Sequence, residues 1–144
     1  MFTIAVCDDD MQERMQEVQI VKNIFSQKEL EAGIEEFQTG QHFLDVLHRV
    51  PYDIVLLDIQ MGEVSGFTLA EELYKITGGE NIIFVSSMEN LVFESIHFRP
   101  FRFVRKSHLE EELTEAVESW IQQNTKTECL EFDETGGVTT ILPQ

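Results

Sequence analysis

Basic residues are scarce in this chain. Its 144 residues include 10 lysines and arginines against 27 aspartates and glutamates, which gives a formal net charge of −17. A surface of this sign repels a phosphate backbone, so the chain alone is not expected to bind nucleic acid. Most of the acids are expected on solvated helix faces, where they favour solubility. The few acids that lie elsewhere are the candidates for chemistry.

Cysteines and long apolar runs are also scarce. The two cysteines, Cys7 and Cys129, both fall in predicted strands, which favours reduced thiols in a cytosolic protein over a disulfide framework. Apolar runs such as residues 53–58 have the length of a strand and are too short to span a bilayer. The N-terminus has neither the basic segment nor the long apolar stretch of a signal peptide. These features predict a cytoplasmic protein without a membrane segment.

Apolar, strand-length segments alternate with segments of helical periodicity. The predicted strands are Thr3–Cys7, Ile34–Phe37, Ile54–Leu57, Ile82–Val85 and Phe101–Val104. The first helix is predicted to bury a stripe made of Met11, Met15, Val18, Val21 and Phe25. Five strands alternating with five helices predict an α/β fold, a doubly wound parallel sheet with helices on both faces.

Residues 124–144 differ in character from residues 1–123. After a polar stretch, Cys129–Phe132 and Val138–Ile141 flank a glycine-containing turn at Glu134, a pattern typical of a β-hairpin. A lone hairpin is only marginally stable, so it would pair with the sheet, exchange with a second chain, or begin another domain. We favour the last, which predicts one domain at 1–123 and a linker with the truncated start of a second at 124–144.

Reactive side chains follow the carboxyl ends of the strands, where open α/β sheets bind their ligands. Asp8 and Asp9 follow the first strand, Asp58 the third, Ser86 the fourth and Lys106 the fifth. Three crowded carboxylates raise one another's pKa values unless a divalent cation relieves the repulsion. Mg²⁺ prefers such oxygen ligands, and one carboxylate could then attack a phosphoryl group that the ammonium and hydroxyl surround.

Four segments resemble the signature segments of bacterial response-regulator receiver domains. They are Ile4-Ala-Val-Cys-Asp-Asp-Asp, Val55-Leu-Leu-Asp-Ile-Gln-Met, Ile82-Ile-Phe-Val-Ser-Ser and Phe103-Val-Arg-Lys, in the family's order and at fitting intervals. The resemblance covers residues 1–123. It implies the flavodoxin-like (β/α)5 receiver fold, with a five-stranded parallel sheet.

The resemblance also implies a role for each site residue. Asp58 would accept the phosphoryl group. Mg²⁺ would be bound directly by Asp9, mainly through water by Asp8, and by Asp58 and the backbone carbonyl of Gln60. The remaining positions would be the switch hydroxyl Ser86, the phosphate-pairing Lys106 and the switch aromatic Phe103.

Two positions depart from the family's usual pattern. Ser107 stands where the family usually has a proline in a cis peptide. A non-proline cis bond costs about 3 kcal/mol, so we expect a trans peptide and a differently shaped Lys106 loop. Phe103 has no hydroxyl, so any switch would work through packing. With the trailing hairpin, these features resemble regulators whose output is a LytTR-type DNA-binding domain.

The resemblance implies partners as well. They are a sensor histidine kinase as phosphoryl donor, a second copy of the chain on activation, and DNA only through a C-terminal domain that controls transcription. Phe93, Phe98 and Phe101 exceed what a small core needs around the fourth helix and predict a partner or dimer surface. No membrane partner is expected. The chain would be a phosphoacceptor and not an enzyme, beyond catalysing its own phosphorylation and dephosphorylation.

Two other functions compete with this interpretation. A haloacid-dehalogenase-type phosphatase would use Asp8, Asp10, Ser86 and Lys106, but it needs a late pair of acids at a further strand end and leaves Asp58 without a role. A pure interaction module would keep the acidic edge without being phosphorylated. Mg²⁺-dependent uptake of phosphate from an acyl phosphate would separate the three.

Overall fold

The computed structural model describes the backbone of residues 1–132 and the side chains of residues 1–125. Strands and helices alternate along the chain, and the five strands form one sheet in which every pair of neighbours is parallel. The elements are β1 Phe2–Cys7, α1 Met11–Gln27, β2 Ala32–Phe37, α2 Gly40–Val46, β3 Ile54–Leu57, α3 Gly66–Thr77, β4 Ile82–Ser86, α4 Val92–Ser95, β5 Arg102–Arg105 and α5 Leu109–Phe132. The predicted doubly wound parallel sheet is confirmed.

The strand order, β2-β1-β3-β4-β5, places β1 between β2 and β3. The chain therefore leaves β1 toward one edge of the sheet and later returns to its other side, which opens a crevice at the carboxyl ends of β1 and β3. Cys7 is level with Leu57 in the register. The N–H of Asp58 donates to the Cys7 carbonyl at 3.0 Å, so the residues after the two strands lie side by side.

The sheet separates two apolar cores. Alternate residues of β1 and β3 point to opposite faces, since Ile4, Val6, Ile54 and Leu56 belong to the core covered by α1 and α5, and Ala5, Cys7, Val55 and Leu57 to the core covered by α2 and α3. Strands buried on both faces explain why these segments are apolar without alternation. Packing on both faces fixes the positions of β1 and β3, and therefore the positions of the residues at their carboxyl ends.

Helix α1 buries only the later part of its predicted stripe. Val18, Val21 and Phe25 lie in the core, whereas Met11 and Met15 are exposed. The helix starts directly beyond the carboxyl end of β1, so its first turns project past the sheet and have no strand to cover. These turns border the crevice instead.

Helix α5 continues to Phe132, so Cys129–Phe132 is helical and the prediction of a strand there was wrong. The polar stretch that precedes it contains no proline or glycine to end the helix. Asn124 Nδ2 donates to the Trp120 carbonyl at 2.7 Å and Thr125 Oγ1 to the Ile121 carbonyl at 2.8 Å, so both side chains bond to the preceding turn of the helix. Val138–Ile141 lies outside the described residues.

Within the described part of the chain, no helix combines the length and the apolar character needed to cross a bilayer.

Candidate functional site

Two carboxylates lie at the carboxyl ends of β1 and β3. Asp8 is fully buried and Asp58 is 6% exposed. The Asp10 N–H donates to Asp8 Oδ1 at 2.9 Å, and the Gln60 N–H donates to Asp58 Oδ1 at 3.3 Å. One oxygen of each carboxylate is therefore held by the loop that follows its strand, and the other oxygen points into the crevice.

The ammonium of Lys106 closes the crevice. Lys106 follows β5 in a single 3-10 turn, and its Nζ lies 3.2 Å from Asp58 Oδ2, 2.9 Å from Asp8 Oδ2 and 2.5 Å from Glu13 Oε1. The contacts with Asp58 and Glu13 are hydrogen bonds. The contact with Asp8 is an ion pair without hydrogen-bond alignment, so Asp8 Oδ2 has no donor among the described residues. One cation thus compensates three acids.

Glu13 contacts Lys106 and was not among the site residues predicted from the sequence. It lies in the first turn of α1, where its N–H donates to the N-cap Asp10 at 2.9 Å. Oxygens of Asp8, Glu13 and Asp58 all lie within 4.8 Å of one another. The available signal was the chain geometry, because a helix that begins directly after β1 must place its first turn beside the strand ends.

Asp9, predicted to bind the metal directly, is exposed and is not part of the cluster formed by Asp8, Glu13 and Asp58. Its direct coordination stays a prediction that requires the side chain to turn inward. Asp8 and Asp58 nevertheless fit a divalent cation, because they offer hard carboxylate oxygens and Asp8 Oδ2 is buried without a hydrogen-bond donor among the described residues. The described residues could therefore hold a metal ion.

The pKa of Asp58 is determined more by burial than by its ion pair with Lys106. Burial raises the pKa of Asp58 to about 7, helped by the charge of Asp8 and opposed by Lys106 and the Gln60 N–H. Burial alone would lower the pKa of Lys106, but its hydrogen bond with Glu13 and the charges of Asp58 and Asp8 raise it overall. The lysine is therefore a permanent cation, and Asp58 changes charge near neutral pH.

A fourth acid lies beneath the cluster. Glu17 on α1 is 1% exposed, and burial together with the neighbouring Asp8 carboxylate raises its pKa to about 10. Glu17 is therefore neutral at pH 7 and adds no further negative charge to the crevice. Arg14, between the two glutamates, donates to the Asp8 carbonyl at 2.8 Å and binds Glu36. Helix α1 thus supports the backbone of the site as well as its lysine.

Ser86 and Phe103, the predicted switch residues, lie on β4 and β5. Ser86 ends β4, is 1% exposed, and its Oγ accepts the Met88 N–H at 3.0 Å. Phe103 on β5 is half-buried and packs against Phe84, with ring centroids 6.3 Å apart. Neither residue contacts Asp58 through a described hydrogen bond, so their switch roles stay predictions.

The three aromatic residues assigned to an interface have different environments. Phe93 is 81% exposed, whereas Phe98 stacks on Phe67 with centroids 5.4 Å apart and packs on the α3 side of the sheet. Phe101 packs against the opposite core, and the Arg102 guanidinium covers its ring at 4.6 Å. Phe93 is therefore the one of the three with its side chain in solvent, since the other two complete the cores.

The Lys106 loop has a trans peptide, since no peptide bond among the described residues is cis. Ser107 Oγ donates to Glu89 Oε2 at 3.1 Å, which ties the loop after β5 to the loop after β4. Glu112 accepts from both the backbone N–H and the Nε of Arg105 at 2.9 Å and strengthens the start of α5. Ser107 thus replaces a rigid proline with a hydrogen bond between two loops.

Gly66 fixes the loop that carries Asp58. It begins α3, its N–H donates to the Ile59 carbonyl at 2.8 Å, and a Cβ there would lie 2.3 Å from the Asp58 carbonyl oxygen. Gly66→Ala must therefore shift backbone, and we expect a loss of about 1–3 kcal/mol in the free energy of unfolding measured with urea. Gly33→Ala is the control, because its Cβ would meet only the flexible end of Met1 at 3.3 Å. Equal stability of the two variants would contradict this role.

The sheet is doubly wound, and at its carboxyl edge two buried carboxylates, Asp8 and Asp58, contact one lysine. This combination of fold and site is typical of an α/β domain of the receiver class. The family model of the response regulator receiver domain matches residues 4–118, and the chain belongs to this family. Membership removes the phosphatase interpretation, which is also disfavoured because Asp10 is exposed and caps α1 outside the cluster.

The chain is also similar to individual proteins. It is 24% identical over 91 residues to the sensory transduction protein LytR of Staphylococcus epidermidis, a match that covers 61% of this chain and 36% of LytR. The chain thus spans little more than a third of that relative, a LytTR-type regulator like those expected from the sequence.

Solved structures show the same fold. TrrA from Thermotoga maritima, in complex with Mg²⁺-BeF, has a TM-score of 0.69 at 24% identity, with 83% of this chain and 99% of that chain covered. Full-length FixJ from B. japonicum has a TM-score of 0.70 at 23% identity, with 94% and 66% covered. The receiver domain of AraT from Geobacillus stearothermophilus has a TM-score of 0.71 at 17% identity, with 88% and 98% covered.

Proposed function

We propose that Asp58 accepts a phosphoryl group from a sensor histidine kinase and that the domain thereby controls an attached output. The observation that carries the proposal is the pairing of a nearly buried carboxylate, Asp58, with a cation at 3.2 Å, beside a second buried carboxylate, Asp8. The domain is a phosphoacceptor, and its catalysis is limited to forming and breaking its own phosphoaspartate.

Asp58 Oδ2 is the attacking atom in this proposal. Its bond to phosphorus forms as the bond between phosphorus and the donor's imidazole nitrogen breaks, and the electron pair stays on the imidazole. The carboxylate must be ionised, and with a pKa of about 7 it is in part protonated at neutral pH before metal binds. Lys106 compensates the charge that spreads over the phosphoryl oxygens.

Mg²⁺ would be held by Asp8 and Asp58, with Asp9 and the Gln60 carbonyl as further ligands, and would supply charge neutralisation at the phosphoryl oxygens. The support for this placement is Asp8, which is buried with one oxygen held by the Asp10 N–H and the other facing the crevice. Lys106, the cation that pairs with the Asp8 carboxylate, is shared with Asp58 and Glu13, so a second cation would stabilise the buried carboxylates.

The conformational response runs through Ser86 and Phe103. Ser86 Oγ would give up its hydrogen bond from the Met88 N–H and donate to a phosphoryl oxygen instead. This exchange would move the loop after β4. The Ser107–Glu89 hydrogen bond couples that movement to the loop after β5. Phe103 would follow by repacking against Phe84, because it has no hydroxyl to bond.

The surface changed in this way is the outer side of α4. Phe93 on α4 is 81% exposed and Ile96, directly after the helix, is 60% exposed, while Phe98 and Phe101 anchor the same region in the two cores. We assign this surface to a homodimer that forms on activation. DNA binding and control of transcription would belong to a C-terminal LytTR-type domain, in the cytoplasm.

Phosphate uptake tests the proposed function. The chain incubated with acetyl phosphate and Mg²⁺ should gain one phosphoryl group, seen by intact-mass spectrometry and assigned to Asp58 by peptide mapping after borohydride reduction. The gain should disappear when EDTA replaces Mg²⁺. An unchanged mass in the presence of Mg²⁺ would favour a pure interaction module and contradict the proposal.

A further inference from the structure

Glu13 makes the shortest contact of the Lys106 ammonium. Its Oε1 lies 2.5 Å from Nζ, compared with 2.9 Å for Asp8 Oδ2 and 3.2 Å for Asp58 Oδ2. The start of α1 fixes this position, because Asp10 caps the helix through the Glu13 N–H. None of the roles described above for phosphoryl transfer uses Glu13.

The ammonium has three protons, and three carboxylates already surround it within 3.2 Å. Two of those protons are in hydrogen bonds with Glu13 and Asp58, and Asp8 Oδ2 lies 2.9 Å from the ammonium as an ion pair, so the oxygens that a phosphoryl group adds at Asp58 must displace or lengthen one of these contacts. Asp8 is fully buried and anchored by the Asp10 N–H, and Asp58 carries the phosphoryl group itself. The Glu13 side chain is 44% exposed, so water can solvate it as soon as it is released.

Electrostatic repulsion between Glu13 and the phosphoryl group also favours release of Glu13 from Lys106. A phosphoryl group on Asp58 adds negative charge within the cluster, where the oxygens of Glu13 and Asp58 are already less than 5 Å apart. Like charges at that separation repel, most strongly where little water screens them. Glu13 is therefore compatible with the unphosphorylated site and unfavourable in the phosphorylated one.

We propose that Glu13 is a positioning residue that holds Lys106 in the unphosphorylated site and competes with the phosphoryl group for its ammonium. The inference rests on the proposed phosphorylation of Asp58 and deepens it. Glu13 lowers the level of phosphorylated Asp58 at a given donor concentration, and it makes the phosphorylated state easier to lose.

The test compares Glu13→Gln with wild type at limiting acetyl phosphate and saturating Mg²⁺. The Gln variant should raise the ratio of phosphorylated to unphosphorylated chain about fivefold, the size of one partly exposed, charge-assisted hydrogen bond. Glu13→Asp keeps the charge but withdraws it by one methylene, and should lie between wild type and Gln. Glu71→Gln removes the same charge from an exposed position of α3, outside the cluster, and should leave the ratio unchanged.

Calorimetric titration with Mg²⁺ alone separates this role from metal binding. We expect the affinity of Glu13→Gln for Mg²⁺ to stay within about threefold of wild type, because the substitution removes one nearby charge and no metal ligand. A tenfold loss of affinity together with less phosphorylation would make Glu13 a metal ligand and overturn the proposal. A phosphorylated ratio equal to wild type would overturn it too, while leaving Asp58 as phosphoacceptor. A wild-type chain that takes up no phosphate would overturn both.

Discussion

Asp58→Asn should abolish phosphorylation by acetyl phosphate at every Mg²⁺ concentration. The amide keeps the shape of the side chain and its place at the end of β3, but it has no anionic oxygen to attack phosphorus. The nearest acid on a strand end, Asp8, offers no replacement, since it is fully buried with one oxygen held by a backbone N–H. Intact-mass spectrometry measures the result directly.

The same substitution should stabilise the fold above neutral pH. Burial raises the pKa of Asp58 from 3.8 to about 7, so ionisation of Asp58 opposes folding. Because the folded-state pKa lies above the unfolded value, the protonated form contributes its full stability below about pH 4, and that stability is lost as pH rises through 7. Asp58→Asn should therefore gain on the order of a few kcal/mol over wild type at pH 8, and little at pH 4.

Asp45→Asn is the matched control. Asp45 lies on α2, and within the described part of the chain its side chain accepts a hydrogen bond only from Gln41 Nε2, so this change should alter neither phosphorylation nor the pH dependence of stability. Urea titrations in EDTA at the two pH values compare the three proteins. Phosphorylation of Asp58→Asn to the wild-type level would refute the assignment of the phosphoacceptor. An equal stability difference at both pH values would refute the electrostatic account of its burial.

The sheet was predictable because its central strands are buried on both faces. β3 spans the predicted Ile54–Leu57, and β5 differs from its prediction by one residue. The region of α4 was less predictable, because the four-residue helix is flanked by short 3-10 turns and Arg99 adopts a positive φ of 49° before Pro100. The end of α5 was missed, since nothing in the local sequence distinguishes a polar helical turn from a linker.

The part of the candidate site that lies directly after the strands could be predicted from the sequence. Parallel topology brings Asp8, Asp58 and Lys106 to one edge, and each is the first residue after its strand. Glu13 and Glu17 escaped because helical periodicity assigns acids outside an apolar stripe to solvent. Such an acid contacts either water or a lysine, depending on whether its helical turn extends beyond the edge of the sheet. The position of the helix relative to the sheet is set by tertiary packing, which periodicity in the sequence does not reveal.

Lys106→Met should slow phosphorylation of Asp58 by acetyl phosphate about 10²-fold at saturating Mg²⁺, the typical cost of removing one charge-stabilising donor from a transition state. Methionine keeps most of the apolar stem, so packing of the largely buried side chain changes little. The lysine also lowers the pKa of Asp58, so its removal should move ionisation of Asp58 to higher pH. The rate should consequently recover in part between pH 7 and pH 9.

Mg²⁺ affinity separates this catalytic effect from damage to the site. Removing a cation from a cluster of three carboxylates makes the crevice more negative, so at pH 9 Lys106→Met should bind Mg²⁺ more tightly than wild type while transferring the phosphoryl group more slowly. Lys75→Met is the control, because Lys75 is 61% exposed and, among the described residues, pairs only with Glu72, at 3.3 Å on the surface of α3. Weaker Mg²⁺ binding by Lys106→Met would show a disordered site, and a wild-type rate would show that the ammonium takes no part in the transfer.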